Sequence, residues 1–290
     1  MSYFKILGFD KEPFSTSPDP EFFYSSREHE RALTNVLIEL RLRRGLSVVL
    51  GDVGTGKTTL SRKLVQDLKR RGDCLFHMVL DPSFESKTHL MHSLVRNFGI
   101  STDKLGDSPS LAQLREALEG FLFQKGVIEE KTVILIIDEA QKLDEKTLEE
   151  LRLLLNYETN EFKLLQLVLL GQTELLGTIR AIPNFFDRIS YKTTLEPLDY
   201  EEMKELIRFR IAQAGHHSKI DLFLEDALHE IYQYTRGYPR QVTMLCHRSL
   251  KDMLMKNKFV VDRQIVREII DEDIRSGWQK KDISLQRSSY

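Results

Sequence analysis

The sequence predicts an α/β protein in which a parallel sheet is covered by helices on both faces and is followed by a smaller helical domain. In the first two thirds of the chain, short segments that are apolar throughout alternate with helical patterns, as in parallel strands buried on both faces. From about residue 199 only helical patterns remain. We therefore expect a domain with an N-terminal arm at residues 1–198, a helical domain at 199–278 and a flexible tail at 279–290.

The elements follow one another with clear boundaries. An arm rich in aromatic residues and proline, residues 1–26, precedes a first helix that ends near Gly45, and Ser25 and Glu28 form a candidate capping box for that helix. Five strands of the length typical for buried strands are predicted at residues 46–50, 74–80, 132–137, 164–171 and 191–198. The helical segments between and after them begin near residues 57, 87, 110, 145, 199, 225, 239 and 262. Because the last strand is the most polar, we expect it at an edge of the sheet.

Composition and charge argue against several classes of protein. A formal net charge of −2 gives no general attraction to nucleic acid or to anionic membranes, although a local basic face stays open. Cys74 and Cys246 lie far apart without a CxxC spacing, which argues against a disulfide framework and a zinc site. The chain shows neither a signal peptide nor an apolar run of about 18–20 residues. We therefore expect a cytoplasmic protein, or one that meets a membrane through a partner.

Residues 51–58 carry the strongest motif. They read GDVGTGKT and fit the pattern G-x-x-x-x-G-K-[ST] in full, between a strand and a helix. The glycines let backbone N–H groups surround phosphates, and the helix N-terminus adds positive potential. We expect Lys57 to reach the β- and γ-phosphates and the Thr58 hydroxyl to coordinate Mg²⁺. The candidate residues for binding ATP are Gly51, Asp52, Val53, Gly54, Thr55, Gly56, Lys57, Thr58 and Thr59.

A pair of acids supplies the second part of the candidate site. Asp138 and Glu139 follow the third predicted strand, at the edge where open α/β sheets bind their ligands. Asp138 can hold Mg²⁺ directly or through water, and Glu139 can act as the general base on a water that attacks the γ-phosphate. The plainer alternative is that both acids cap the following loop.

Three residues farther along the chain are weaker candidates. Gln172 follows the fourth strand, which we expect between the first and third strands, so its amide can sense the γ-phosphate or the attacking water. Arg188 precedes the fifth strand and can reach the nucleotide of a neighbouring subunit. Arg240 opens a helix of the second domain and can fold over the phosphates of its own subunit. Taken singly, Gln172 is a polar strand end and each arginine a surface residue.

Two clusters remain ambiguous or unpromising. Basic residues end the second helix at Lys69–Arg71 and lie along the first helix at Arg27, Arg31, Arg41, Arg43 and Arg44. These side chains form either a solvated face or a stripe that tracks DNA phosphates. His216 and His217 follow Gly215 without a ligand spacing, which favours a solvated turn over a metal site.

Together these motifs resemble the AAA+ ATPases, in which a P-loop NTPase sheet of five parallel strands carries a C-terminal helical lid. Within that family the chain is most similar to the ExeA/GspA-type ATPases of secretion and pilus systems. Three segments carry this second resemblance: FKILGFDKEPFSTSPDPEFFYSSREHERAL, LRLLLNYETNEFKLLQLVLLGQTEL and TRGYPRQVTMLCHRSL. Gln172 departs from the Asn or Thr that most AAA+ proteins have at the first sensor.

The resemblance implies hydrolysis of ATP with Mg²⁺, coupled to assembly of a bacterial cell-envelope machine. It further implies a homo-oligomeric ring or filament and a membrane-anchored secretion or pilus partner. The full-length secretion members carry a membrane helix and a peptidoglycan-binding region after the ATPase domain. Because neither is found here, the resemblance favours the short pilus-type or exosortase-type members.

Two other functions stay open. The same subfamily resembles ATPases that select targets for DNA transposition by assembling on duplex DNA, with ATP as an assembly switch. The near-neutral charge argues mildly against this role, and the PFSTSPDPEFFY segment favours the secretion branch. A degenerate nucleotide-binding scaffold is the third interpretation, and intact Lys57, Thr58, Asp138 and Glu139 argue against it.

Overall fold

The computed structural model describes residues 3–15, 19–101, 106, 108–216 and 221–277. The chain divides into two compact units. One comprises Ser25–Glu196, and the other joins the described residues of the first 24 to those from Pro197 onward. The predicted tail at 279–290 and His217 lie outside the described residues.

A sheet of parallel strands forms the centre of the first unit. Its strands are β1 (Leu46–Gly51), β2 (Cys74–Val79), β3 (Thr132–Ile137), β4 (Leu165–Gly171) and β5 (Ile189–Leu195), in the order β2-β3-β4-β1-β5. This order confirms the predicted α/β fold and the edge position of the fifth strand. Every residue of β1, β3 and β4 is buried, whereas exposed and partly buried residues alternate along most of β5. Because successive side chains point to opposite faces of a sheet, one face of β5 is more exposed than the other, which accounts for its polar residues.

Helices account for most of the remaining described residues. In chain order they are α1 (Tyr3–Ile6), α2 (Arg27–Arg41), α3 (Lys57–Lys69), α4 (Lys87–Asn97), α5 (Leu111–Phe123), α6 (Glu145–Leu154), α7 (Leu175–Ala181), α8 (Tyr200–Gln213), α9 (Glu225–Thr235), α10 (Pro239–Met255) and α11 (Arg263–Arg275). Short 3₁₀ turns lie at Pro20–Phe22, Ala140–Lys142 and Phe186–Arg188, and a π-helical turn lies at Gln124–Ile128. Within the described ranges, no helix has the length and apolarity needed to cross a membrane.

The first long helix, α2, begins one residue later than predicted. Ser26, and not Ser25, has the extended backbone of an N-cap, and its side chain accepts a hydrogen bond from the backbone N–H of His29. The predicted capping box of Ser25 and Glu28 is therefore wrong. Two adjacent serines fit the same cap preference, and the sequence alone did not distinguish them.

The strands bury alternate residues on opposite faces of the sheet. Val49 and Leu170 lie on the face covered by side chains of α2 and α3. Val48 and Leu169 belong to the apolar cluster that contains the buried residues of α4 to α7. Both faces are thus covered, which explains why the strands read as continuous apolar runs.

The second unit is helical, and the N-terminal arm belongs to it. Phe9, Phe14 and Phe22 are all buried in one cluster with apolar side chains of α8, α9, α10 and α11. We predict the arm as part of the sheet domain, whereas it belongs to the helical unit. Aromatic residues in an irregular segment indicate burial, but they do not indicate which surface buries them.

Arg210 of α8 forms hydrogen bonds with the backbone of the N-terminal arm. Its guanidinium donates to the carbonyl oxygens of Pro13 at 2.8 Å and Ser15 at 2.7 Å. Burial lowers the pKa of Arg210, because the charged form loses hydration there. The arm is therefore fixed within the helical unit by buried rings and by hydrogen bonds to a partly buried cation.

Candidate nucleotide-binding site

The phosphate loop connects the end of β1 to the start of α3. Gly54 and Gly56 have φ angles of 90° and 101°, in the region that favours glycine. Gly51 is confined in a different way, because a Cβ there would lie 2.7 Å from Thr55 Oγ1 and 2.9 Å from the Leu195 carbonyl oxygen. The helix then begins at Lys57, so the loop leads directly to free N–H groups at a helix N-terminus.

Lys57 lies within the loop and is 6% exposed. Its Nζ donates to the carbonyl oxygens of Gly51 at 2.6 Å and Asp52 at 2.8 Å. Burial lowers the pKa of Lys57, while the carboxylates of Glu139 and Asp138 act in the opposite direction. The loop therefore holds a cation at its centre, with acids close enough to interact with it.

Asp138 follows β3 and is 1% exposed. Its Oδ1 accepts from the backbone N–H of Glu139 at 3.0 Å, and its Oδ2 accepts from Ser61 Oγ at 3.2 Å. A hydrogen bond with the Thr58 side chain and these two bonds stabilise the charged carboxylate, whereas burial raises the pKa of Asp138. A hydroxyl and a carboxylate thus lie side by side, and oxygen donors of this kind suit Mg²⁺.

Glu139 adopts a left-handed backbone with φ of 54°. Its Oε2 accepts from Gln141 Nε2 at 2.7 Å, and Gln141 Oε1 accepts from the backbone N–H of Gln172 at 3.0 Å. The side-chain amide of Gln141 therefore links Glu139, the candidate base after β3, to Gln172 at the end of β4. The sequence indicates Glu139 and Gln172, whereas the only signal for Gln141 is its place two residues after the acid.

Arg188 is not brought to this site in its own chain. It ends the 3₁₀ turn before β5, at the amino-terminal edge of the sheet, whereas the phosphate loop lies at the carboxyl edge. Its charge acts instead on Lys163, which precedes β4 and whose pKa is lowered by burial and by Arg188. Arg240 is the second residue of α10, in the helical unit, and is exposed. The functional roles of both arginines stay predictions.

Comparisons with known proteins agree with this fold and site. Residues 40–179 match the family described as AAA domain. The chain is 34% identical to general secretion pathway protein A of Aeromonas hydrophila over 250 residues, which are 86% of this chain and 44% of that protein. It is 26% identical to the ATP-dependent target DNA activator B of Escherichia phage Mu over 195 residues, which are 65% of this chain and 56% of that protein. The chain thus spans about half the length of these curated relatives.

Among solved structures, Cdc6p from Pyrobaculum aerophilum has a similar fold. The TM-score is 0.65 at 21% identity, with 90% of this chain and 70% of that chain covered. At this identity the likeness shows the fold alone. The five-stranded parallel sheet, the phosphate loop, the AAA domain match and the secretion relative together show that the chain contains an AAA domain with a P-loop NTPase fold and is related to general secretion pathway protein A.

Proposed function

We propose that the chain hydrolyses ATP in the presence of Mg²⁺. One observation carries this proposal: Lys57, Thr58, Asp138 and Glu139 meet at the carboxyl edge of one sheet. Mg²⁺, when bound by the Thr58 hydroxyl and the Asp138 carboxylate, supplies positive charge that offsets charge developing on the phosphoryl oxygens. Lys57 supplies a second positive charge, and Glu139 accepts a proton from the attacking water.

Gln141 orients the Glu139 carboxylate in this proposal. Replacing it by leucine removes both hydrogen bonds, so we expect Gln141→Leu to lower kcat by about tenfold while the Kd for ATP changes less than about twofold. Single-turnover hydrolysis and calorimetric titration with ATP measure the two quantities separately.

A second variant replaces the amide donor by an acid. Gln141→Glu still accepts from the Gln172 N–H, but its second oxygen lies against the Glu139 carboxylate, where the two acids repel or share a proton, so its kcat should fall at least as far. Wild-type turnover in both variants would limit Gln141 to a role in loop structure.

The second part of the proposal concerns what hydrolysis drives. The 34% identity to general secretion pathway protein A supports a role in assembling, or regulating the assembly of, a bacterial cell-envelope machine of the secretion or pilus type. The chain would then act in the cytoplasm, at the inner membrane, through a membrane-anchored partner. We further propose a homo-oligomeric ring or filament, because Arg188 lies at the sheet edge opposite to its own phosphate loop.

Binding of duplex DNA is a second candidate function. The relationship to a target DNA activator supports this function. Further support comes from four exposed arginines in the unit that contains the sheet: Arg27, Arg31, Arg41 and Arg44. Arginines on one helix can contact successive phosphates, and such binding weakens steeply as salt rises. The DNA-binding and secretion hypotheses differ in the partner on which the protein acts. They assume the same chemistry at the nucleotide site.

An ATPase assay with and without duplex DNA, at low and at physiological salt, tests both functions. We expect Mg²⁺-dependent hydrolysis that DNA leaves unchanged, with Lys57→Ala as the inactive control. Stimulation by DNA that fades with salt would instead favour the DNA-binding function. Wild-type protein that hydrolyses no more ATP than Lys57→Ala, with or without DNA, would contradict the proposed hydrolysis itself.

A further inference from the structure

A buried histidine connects α2 to the phosphate loop. His29, in the first turn of α2, is 1% exposed, and its Nε2 lies 2.9 Å from the carbonyl oxygen of Thr55. Because a carbonyl oxygen only accepts, Nε2 carries a proton and donates it to this bond. Nδ1 lies 2.7 Å from Ser26 Oγ, and in the neutral ring it accepts from that hydroxyl. Both ring nitrogens are therefore used, and the orientation of the imidazole is fixed.

The carbonyl groups of the loop face donors from the protein. Those of Gly51 and Asp52 accept from Lys57, and that of Thr55 accepts from His29. In a trans peptide the C=O and N–H groups point in opposite directions, so a donor on the carbonyl fixes the direction of the N–H. A phosphate loop binds anions through N–H groups that converge inward, and the carbonyl of each peptide that supplies such an N–H points away from the anion, as that of Thr55 does toward His29. By holding the Thr55 carbonyl, His29 also fixes the direction of the Gly56 N–H.

The imidazole also packs directly against this peptide. A Cβ built on Gly56 would lie 2.8 Å from His29 Nε2. Gly56 has φ of 101° and immediately precedes Lys57, the first residue of α3. The ring therefore contacts the loop at the glycine that immediately precedes Lys57.

We propose that His29 is a positioning residue that holds the Thr55–Gly56 peptide in the orientation that binds phosphate. This inference rests on the proposed binding of ATP and adds a residue outside the G-x-x-x-x-G-K-[ST] motif to the determinants of affinity. A buried residue of α2 with only a structural role would change stability without a specific effect on nucleotide affinity.

Two amide variants that differ in reach test the proposal. His29→Gln can present an amide N–H near the position of Nε2, whereas the amide of His29→Asn is one bond shorter and does not reach Thr55. By calorimetry with Mg²⁺, we expect His29→Asn to weaken ATP and ADP binding by on the order of tenfold or more, because a buried carbonyl loses its donor. His29→Gln should stay within about threefold of the wild type.

Ser110→Ala is the control for a general loss of stability. It removes the side-chain N-cap of α5, which accepts from the backbone N–H of Gln113, and leaves both hydrogen bonds of the His29 ring in place, so it should lower Tm by about 2–4 °C and leave nucleotide affinity nearly unchanged. Should His29→Asn fail to fold, His29→Leu, which has apolar volume and no donor, takes its place.

The outcomes separate this inference from the function on which it rests. Equal affinity of wild type and His29→Asn would overturn the positioning role while leaving ATP binding intact. Equal losses of affinity in the Gln and Asn variants, in proportion to their losses in Tm, would overturn it as well. Wild-type protein that binds no nucleotide would remove the proposed function, and the positioning role with it.

Discussion

Glu139→Gln should bind ATP with wild-type affinity and hydrolyse it 10²- to 10⁴-fold more slowly, about the range that a general base contributes. The substitution is nearly isosteric. Its amide oxygen can still accept the hydrogen bond that Gln141 Nε2 makes to Glu139 Oε2 at 2.7 Å. What is lost is the basicity of the carboxylate. Single-turnover hydrolysis under saturating Mg²⁺ and ATP measures this loss directly.

A second acid near the loop provides the control. Glu174 precedes α7, and its charge also acts on Lys57, so Glu174→Gln makes the same change in charge close to the same cation. Its rate should stay within about threefold of the wild type, since Glu174 lies three residues beyond the end of β4 and is not one of the two acids after β3 that we assign to the base and to Mg²⁺. Normal turnover by Glu139→Gln, or an equal loss in both variants, would remove Glu139 from the role of base.

The contiguous parts of the site could be predicted from the sequence because their chemistry is local. The chain runs directly from a strand through a glycine-rich loop to a helix that begins at Lys57. The glycines of the loop occupy positions where another residue would be strained or crowded. Asp138 and Glu139 were predictable for a related reason, since the carboxyl ends of buried parallel strands converge at one edge. The position of Gln172 beside the third strand followed from the strand order β3-β4-β1, which the structure confirms.

Contacts that depend on side-chain direction could not be predicted. Gln141 and Gln172 are far apart in sequence, and only the turn after β3 aims the amide of Gln141 at both Glu139 and the end of β4. His29 could be read only as a residue on a helix, because its contact with Thr55 depends on how α2 lies against the loop. A spacing pattern records which face of an element is apolar and carries no information on which polar atoms meet.

The other large effect is expected at Arg188. Arg188→Ala should leave ATP binding intact and lower the hydrolysis rate of the assembled protein by about 10³-fold or more, as for arginine fingers in other NTPases. Arg188 lies before β5, and a strand of that length spans about 20 Å, which exceeds the reach of an arginine side chain. The guanidinium can therefore contribute only to the site of another copy. Wild-type specific activity should accordingly rise with protein concentration.

Mixing two inactive variants tests this assignment in trans. Arg188→Ala keeps an intact Glu139, and Glu139→Gln keeps an intact Arg188, so a head-to-tail interface between them combines a complete base with a complete finger. If subunits exchange freely in an equimolar mixture, about a quarter of the interfaces are of this productive kind, and about a quarter of the wild-type rate should return. Each variant alone should stay inactive at every concentration. No recovery in mixtures that demonstrably co-assemble, or specific activity that is flat while wild-type oligomers form, would contradict a finger at Arg188 and return that residue to the surface role of a cation beside Lys163.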